Sequence, residues 1–182
     1  MKPGSQQLGT TVRLALLAVL AALTTVLTRV VQIPVPSTSG YLNFGDIGVL
    51  FAGLLLGPIG GIAGGVGSAL ADLLSPYFYY APLTLVAKGL EGAVAGFVFR
   101  GRSMLPGTNR RLLLALVCGS LVMVSGYLIG ETVMAGVLIG WLPSFANALT
   151  EVPINILQVT VGSMVAPLAL TAANRVLKSS AT

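Results

Sequence analysis

The segment "NALTEVPINILQ" places Asn147, Glu151, Asn155 and Gln158 at intervals of four, four and three residues within an apolar run. That spacing puts all four on one face of a helix. Side-chain amides both donate and accept, which suits an uncharged or zwitterionic heterocycle; the alternative is that the stripe joins helix to helix. Upstream, "LTLVAKGLEGAVAG" sets Lys88 and Glu91 three residues apart, within reach of one another on a helix. Either they form an internal ion pair or one of them meets a polar ligand. Asn43 and Asp46 stand together in "YLNFGD", where a carboxylate suits the positive end of a helix dipole. "SPYFYYAP" supplies Tyr77, Phe78, Tyr79 and Tyr80, either an interfacial aromatic belt or a stacking lid. Glu131 and Asp72 each end an apolar run. Glu131 belongs either to the same cavity as the stripe or to an interface; Asp72 caps, pairs with a base or touches substrate.

Other chemistries lack their residues. The chain has no histidine, and its one cysteine, Cys118, sits inside "LLLALVCGSLVMV" as a small core residue. A disulfide framework, a zinc site and histidine-based catalysis are thereby excluded, and no carboxylates cluster densely in sequence. We expect no enzymatic activity, no metal and no cofactor.

The elements that position these residues follow from composition. The 182 residues are 55% hydrophobic and only 8% charged, where soluble domains carry about a quarter charged residues. Too few charges remain to cover a water-facing surface, so lipid is the expected solvent. Apolar runs over about 14–31, 44–56, 59–74, 83–99, 112–134 and 146–177 predict an all-α bundle of six membrane-spanning helices in a single membrane domain, residues 1–182. The second and third runs are short for a crossing, with Gly57–Pro58 as the turn between them. Pro34 and Pro36 force the preceding loop to be extended, Pro153 falls in the early turns of the last helix, and Pro167 is a candidate kink.

Charge then sets topology. Lys2, Arg13, Arg100, Arg102, Arg110, Arg111, Arg175 and Lys178 fall at one side of these spans and Arg29 at the other. The positive-inside tendency puts both termini in the cytoplasm, with "IPVPSTSGYLNF", "SPYFYYAP" and "GWLPSF" outside. The net charge of +5 therefore reads as a topology signal, and no nucleic-acid partner is expected.

"GPIGGIAGGVGSALADLL" has glycine density that invites a phosphate-loop reading, but no Gly-Lys pair exists in the chain. Its spacing is helical instead: Gly57, Gly61, Gly65 and Ala69 recur every four residues, as do Gly60, Gly64 and Ser68. In lipid, faces of small residues let helix backbones approach closely. We expect a packing helix. Ala15, Ala18 and Ala22 form a second small seam on the first helix, either internal packing or a docking surface.

"GYLNFGDIGVLFAGLLLGPIGGIAGGVGSALADLL" followed by "YAPLTLVAKGLEGAVAGF" resembles the substrate-binding S components of energy-coupling factor (ECF) vitamin transporters. The resemblance implies a six-helix membrane protein that captures a vitamin or its precursor in an outward-facing pocket. It also implies a transmembrane coupling subunit and two cytoplasmic ATPases as partners, with the alanine face of the first helix docking against them and the whole subunit toppling in the membrane for release. On this footing Asn43, Tyr80, Lys88, Glu91, Glu151, Asn155 and Gln158 are the expected pocket lining. A pyrimidine-type thiamine precursor is the first substrate expected and riboflavin the second. The alternative is a self-sufficient ion-coupled transporter using Asp72, Glu131 or Glu151; its usual mark, an inverted repeat with paired broken helices, is not visible.

Overall fold

The computed structural model describes residues 9–35, 40–99, 110–137 and 145–179; of 134–137, 147, 177 and 178 it describes the backbone alone. Lys2, Arg100, Arg102 and "GWLPS" lie outside the described residues, and so do the side chains of Asn147 and Lys178. The helices are α1 Thr10–Val30, α2 Gly45–Leu56, α3 Gly60–Leu73, α4 Ala81–Phe99, α5 Arg110–Val137 and α6 Phe145–Ser179. Between α1 and α2 the extended segment pairs with itself: β1 Ile33–Pro34 and β2 Tyr41–Leu42 form a two-residue antiparallel ribbon. Helix α6 continues through both Pro153 and Pro167.

Among the described residues, five stretches are long and apolar enough to cross a membrane: Thr10–Val30, Gly45–Leu73, Phe78–Phe99, Arg110–Val133 and Ala148–Val176. The protein is a multi-pass membrane helix bundle. Within Gly45–Leu73 the chain reverses, because a 3-10 turn at Gly57–Ile59 separates α2 from α3. Gly57 adopts φ 73° and ψ −155°, a region open in practice to glycine alone. A Cβ at Gly57 would meet nothing within 4 Å. Its expected packing role is therefore corrected: its own glycine requirement is conformational, although Gly96 of α4 packs against its backbone.

The other glycines of the stretch serve two partners. Gly60 and Gly64 face α2, where a Cβ at Gly64 would lie 2.9 Å from Val49 Cγ1. Gly61 and Gly65 face α4, where a Cβ at Gly65 would lie 2.6 Å from the Leu85 carbonyl oxygen. Gly67 approaches α1 in the same way, 2.8 Å from Thr24 Cβ. Helix α3 is thus wedged between α1, α2 and α4 at distances that only missing side chains permit. The paired positions also give directions: α2 runs against α1 and α3, and α4 runs against α3 and α5. Arg13, Arg110, Arg111 and Arg175 consequently share one end of the bundle, and Arg29 lies at the other.

Apolar packing completes the bundle. Leu50, Leu54, Ala95, Phe99, Leu112, Met123, Val159 and Leu170 form the main core between α2, α4, α5 and α6. Helix α1 contributes few buried residues, Leu20, Thr24 and Thr28, so most of its surface is open to lipid or to a partner. We expect Gly65→Val to lower stability by about 3 kcal/mol through overpacking, seen as a lower melting temperature in detergent. Ile62→Val, at a position 58% exposed one turn away, should leave it unchanged.

Candidate functional site

Helix α2 begins at a polar corner. Asn43 Oδ1 accepts the Gly45 N–H at 2.7 Å, which turns the chain into the helix and places Asp46 in its first turn. Asp46 is fully buried, and Lys88 of α4 donates to its Oδ1 in a direct ion pair. Gln158 of α6 uses both ends of its amide here: Nε2 donates to Asp46 Oδ2 at 2.8 Å, and Oε1 accepts the Asn43 N–H at 2.9 Å. Gly162, one turn on, lets α6 approach, since a Cβ there would lie 2.7 Å from Asp46 Cβ. Lys88 Nζ also stands 5.4 Å from the centre of the Tyr127 ring, where a cation is attracted to the π face.

Of the two expectations for Lys88 and Glu91, the internal ion pair is present, but as the longer of two contacts. Glu91 is within reach of Lys88, with Oε2 3.7 Å from Nζ, but the direct partner of Lys88 is Asp46. Glu91 is completely buried beneath the pair and does not line the pocket, so its expected place in the lining is withdrawn. The sequence signal for Asp46 was present, a carboxylate in an apolar chain, but the contact spans 42 residues and no local spacing reports it.

Above this floor lies a pocket lined by Thr28, Gly40, Tyr41, Asn43, Ser68, Tyr80, Thr84, Lys88, Tyr127, Glu131, Glu151, Asn155 and Gln158. The space within it that no protein atom fills is about 400 Å³, open solvent included. Six of the seven expected residues are brought together: Asn43, Tyr80, Lys88, Glu151, Asn155 and Gln158. Glu131 joins them, so its cavity alternative holds. Thr28, Tyr41, Ser68, Thr84 and Tyr127 were missed. Thr24 and Thr28 at a four-residue interval on α1 were a readable signal. Tyr127 was not, because its contacts are with α4, a hydrogen bond to Thr84 Oγ1 at 3.0 Å across 43 residues and the Lys88 ammonium over its ring.

The β ribbon roofs this space. The Gly40 backbone is pressed against the Glu151 carboxylate of α6. The Tyr41 ring stacks on Tyr77 with centroids 4.3 Å apart, and its hydroxyl donates to Asp72 at the end of α3. Burial, and then the charge of Asp72, push the Tyr41 hydroxyl well above its ordinary range, so it stays a donor. Asp72 thus has a partner that the sequence left undecided. The aromatic group "YFYY" divides: Tyr80 is buried in the pocket wall, Tyr77 supports the roof and Phe78 is 61% exposed. Neither a uniform belt nor a uniform lid describes it. Among the described residues no group of His, Cys, Asp or Glu could hold a metal ion.

A polar pocket at one end of an apolar bundle, with a buried ion pair as its floor, is the arrangement against which relatives can be compared. The model of the family "ECF-type riboflavin transporter, S component" matches residues 9–175. The chain belongs to this S component family. Such subunits bind substrate and are not catalytic, so the protein acts in uptake of a vitamin or vitamin precursor as part of an ECF-type transporter. A thiamine precursor transporter, HmpT, of Lactococcus lactis subsp. cremoris is 33% identical over 85% of this chain and 82% of its own length. A protein of Pyrococcus woesei, described as uncharacterized, is 47% identical over 62% of this chain and 73% of its own. A solved structure of the S component of a bacterial ECF transporter superposes with TM-score 0.68 at 24% identity, covering 93% of this chain and 99% of that one. That likeness shows the fold. The comparisons give the ion-coupled alternative no support.

Breaking a buried pair costs about 3–5 kcal/mol, and without Asp46 the Lys88 ammonium keeps only the more distant Glu91. We therefore expect Asp46→Asn to lower the melting temperature of the S component sharply. Adding Lys88→Met should restore much of the loss, and an unchanged melting temperature for Asp46→Asn would show that the pair holds nothing together.

Proposed function

We propose that this S component captures a pyrimidine-type thiamine precursor from outside the cell. Asn43, Tyr80, Lys88, Glu151, Asn155 and Gln158 contribute to its site, and Glu91 secures Lys88 from below. The observation that carries the reading is that these six pocket residues, drawn from the α2 entry, the turn before α4, α4 itself and the outer half of α6, surround a single polar space. A flat heterocycle bearing donors and acceptors on its edge matches the amides of Asn155 and Gln158 and the ring face of Tyr80. Relatedness to a thiamine precursor transporter supports the choice. Riboflavin is the second reading, favoured by the description of the matching family.

We further propose that six helices cross the membrane, α2 and α3 as a tight hairpin, with both termini in the cytoplasm. The clustering of Arg13, Arg110, Arg111 and Arg175 at one end of the bundle supports that orientation. Energy then comes from a transmembrane coupling subunit and two cytoplasmic ATPases. Ala15, Ala18 and Ala22 are all exposed on α1, which argues against internal packing and supports a docking role.

Titration of the purified protein by calorimetry tests the substrate. The hydroxymethyl aminopyrimidine precursor of thiamine should bind with a Kd below about 1 μM, and riboflavin at least about tenfold more weakly. Tighter binding of riboflavin would reverse the order of the two readings, and binding of neither would overturn both. Ala18→Trp should abolish co-purification with the coupling subunit while leaving that Kd unchanged; intact assembly would remove the alanine face from the interface.

A further inference from the structure

Serine and threonine inside a helix often return their hydroxyl proton to the backbone carbonyl four residues earlier. This bundle follows that habit at Thr24, Thr28, Ser125, Thr132, Thr160 and Thr171. Ser68 of α3 departs from it. Ser68 is 1% exposed and lines the pocket, and its Oγ has no hydrogen-bond partner among the described residues. A buried hydroxyl left in that state is uncommon in a folded protein. Packing explains where it stands. The face of α3 that carries Gly60 and Gly64 lies on Ala52 and Val49 of α2, and one turn further it reaches Ser68 at the level where α2 begins. Thr28 of α1 arrives at the same level, since a Cβ on Gly45, the first residue of α2, would collide with its Oγ1. Thr25 Oγ1 donates to the Gly67 carbonyl oxygen at 2.8 Å, which ties α1 to α3 beside Ser68. Thr28 also lines the pocket and is 2% exposed. Its proton is spent on the Thr24 carbonyl oxygen at 2.8 Å, so its own oxygen is left as an acceptor, whereas Ser68 has a proton to give.

We propose that Ser68 and Thr28 form a hydroxyl-reading subsite on the α1–α3 side of the pocket and are specificity-determining residues for a ligand that carries an aliphatic hydroxyl. The inference deepens the function proposed above and rests on it. One ligand oxygen answers both residues, because a hydroxyl accepts from Ser68 and donates to Thr28 Oγ1. A carbonyl would satisfy Ser68 alone, and an amino group would leave the Ser68 proton unused. A methyl group at the same place would bury the Ser68 hydroxyl with nothing to bond. A site built to bond a hydroxyl discriminates for that reason against an analogue lacking it. The subsite stands on α1 and α3, apart from the amides of α6, so the hydroxyl is read by other helices than the edge of the ring. The pyrimidine precursor presents its hydroxyl on a hydroxymethyl arm and riboflavin on its side chain, and the subsite serves either reading.

Calorimetry on the full-length protein in detergent compares each candidate with an analogue that lacks the hydroxyl. The hydroxymethyl aminopyrimidine is set against its methyl counterpart, and riboflavin against lumiflavin, whose side chain is a methyl group. For whichever candidate binds, the hydroxylated form should bind the wild-type protein at least about tenfold more tightly than its analogue. In Ser68→Ala that ratio should fall to about threefold or less, through weaker binding of the hydroxylated form while the analogue keeps its wild-type affinity. Thr28→Val should narrow the ratio in the same way, and it carries the readout if Ser68→Ala does not fold. Equal binding of the two forms by the wild-type protein would overturn the inference and leave the substrate assignment standing; this arm needs no variant. A ratio that persists in the variants would overturn it too, because the hydroxyl would then be read elsewhere. Parallel loss of both forms in Ser68→Ala would assign that side chain to helix packing, with the same consequence. Failure of both hydroxylated candidates to bind the wild-type protein would instead remove the functional reading on which the inference rests.

Discussion

One buried ammonium fixes the architecture of this bundle. Lys88 lies in α4 where hydrocarbon or packed side chains surround it, and an unpaired charge there is costly. Asp46 answers it from α2, and Gln158 of α6 holds the second oxygen of Asp46 at 2.8 Å. Three helices are thereby held in register through one carboxylate. The contact is possible because backbones come close. Gly162 leaves room for Asp46 Cβ, and Gly53 with Gly92 and Gly96 brings α2 against α4. Polar network and glycine packing are therefore one device: enlarging a glycine at these seams would part the charges that the seams bring together.

Floor and roof of the pocket are built on different terms. The floor is an ion pair and two amide bonds, all inside packed helices. The roof is a two-residue ribbon, held by Tyr41 against Asp72 and Tyr77 and by the seating of Gly40 on Glu151. Tyr41 donates to a buried carboxylate, and burial first and the charge of that carboxylate second keep its proton in place. A few local contacts release more readily than a shared network within the bundle, so the floor is the more firmly held of the two.

The helices were legible in the sequence because hydropathy is a local property: the apolar runs and the helices end within a few residues of one another. The polar stripe of α6 was legible for the same reason, since 151, 155 and 158 share a face whatever surrounds the helix. What local spacing could not report was the second partner. Lys88 and Glu91 are neighbours along one helix and do pair, at 3.7 Å, yet the closer partner, Asp46, comes from 42 residues away. Gly57 fits the four-residue pattern of its neighbours, but the Gly-Pro pair marked it as the turn, and it does belong to the reversal. Tyr127, Thr84 and Ser68 are ordinary residues until α3, α4 and α5 are assembled around them.

The pocket is also a consequence of length. Helix α2 has 12 residues, about 18 Å of rise, and its first turn stands level with Lys88, the eighth residue of α4. Helix α4 thus continues about 10 Å beyond the start of α2. Helix α6 begins 17 residues before Gly162, which packs on Asp46, so it extends about 25 Å further. Where α2 has stopped and its neighbours have not, the bundle lacks a wall, and the side chains of α4, α5 and α6 face inward on a space that no helix fills. Polar residues collect there because backbone groups at the start of α2 also need partners, which Asn43 and Gln158 supply. A full-length α2 would close that space with apolar side chains and leave Glu131, Glu151 and Asn155 with nothing polar to face. The short helix, its reversal at Gly57 and the glycine seams that hold so little chain in place are thus the means by which an apolar bundle keeps a polar site at one end.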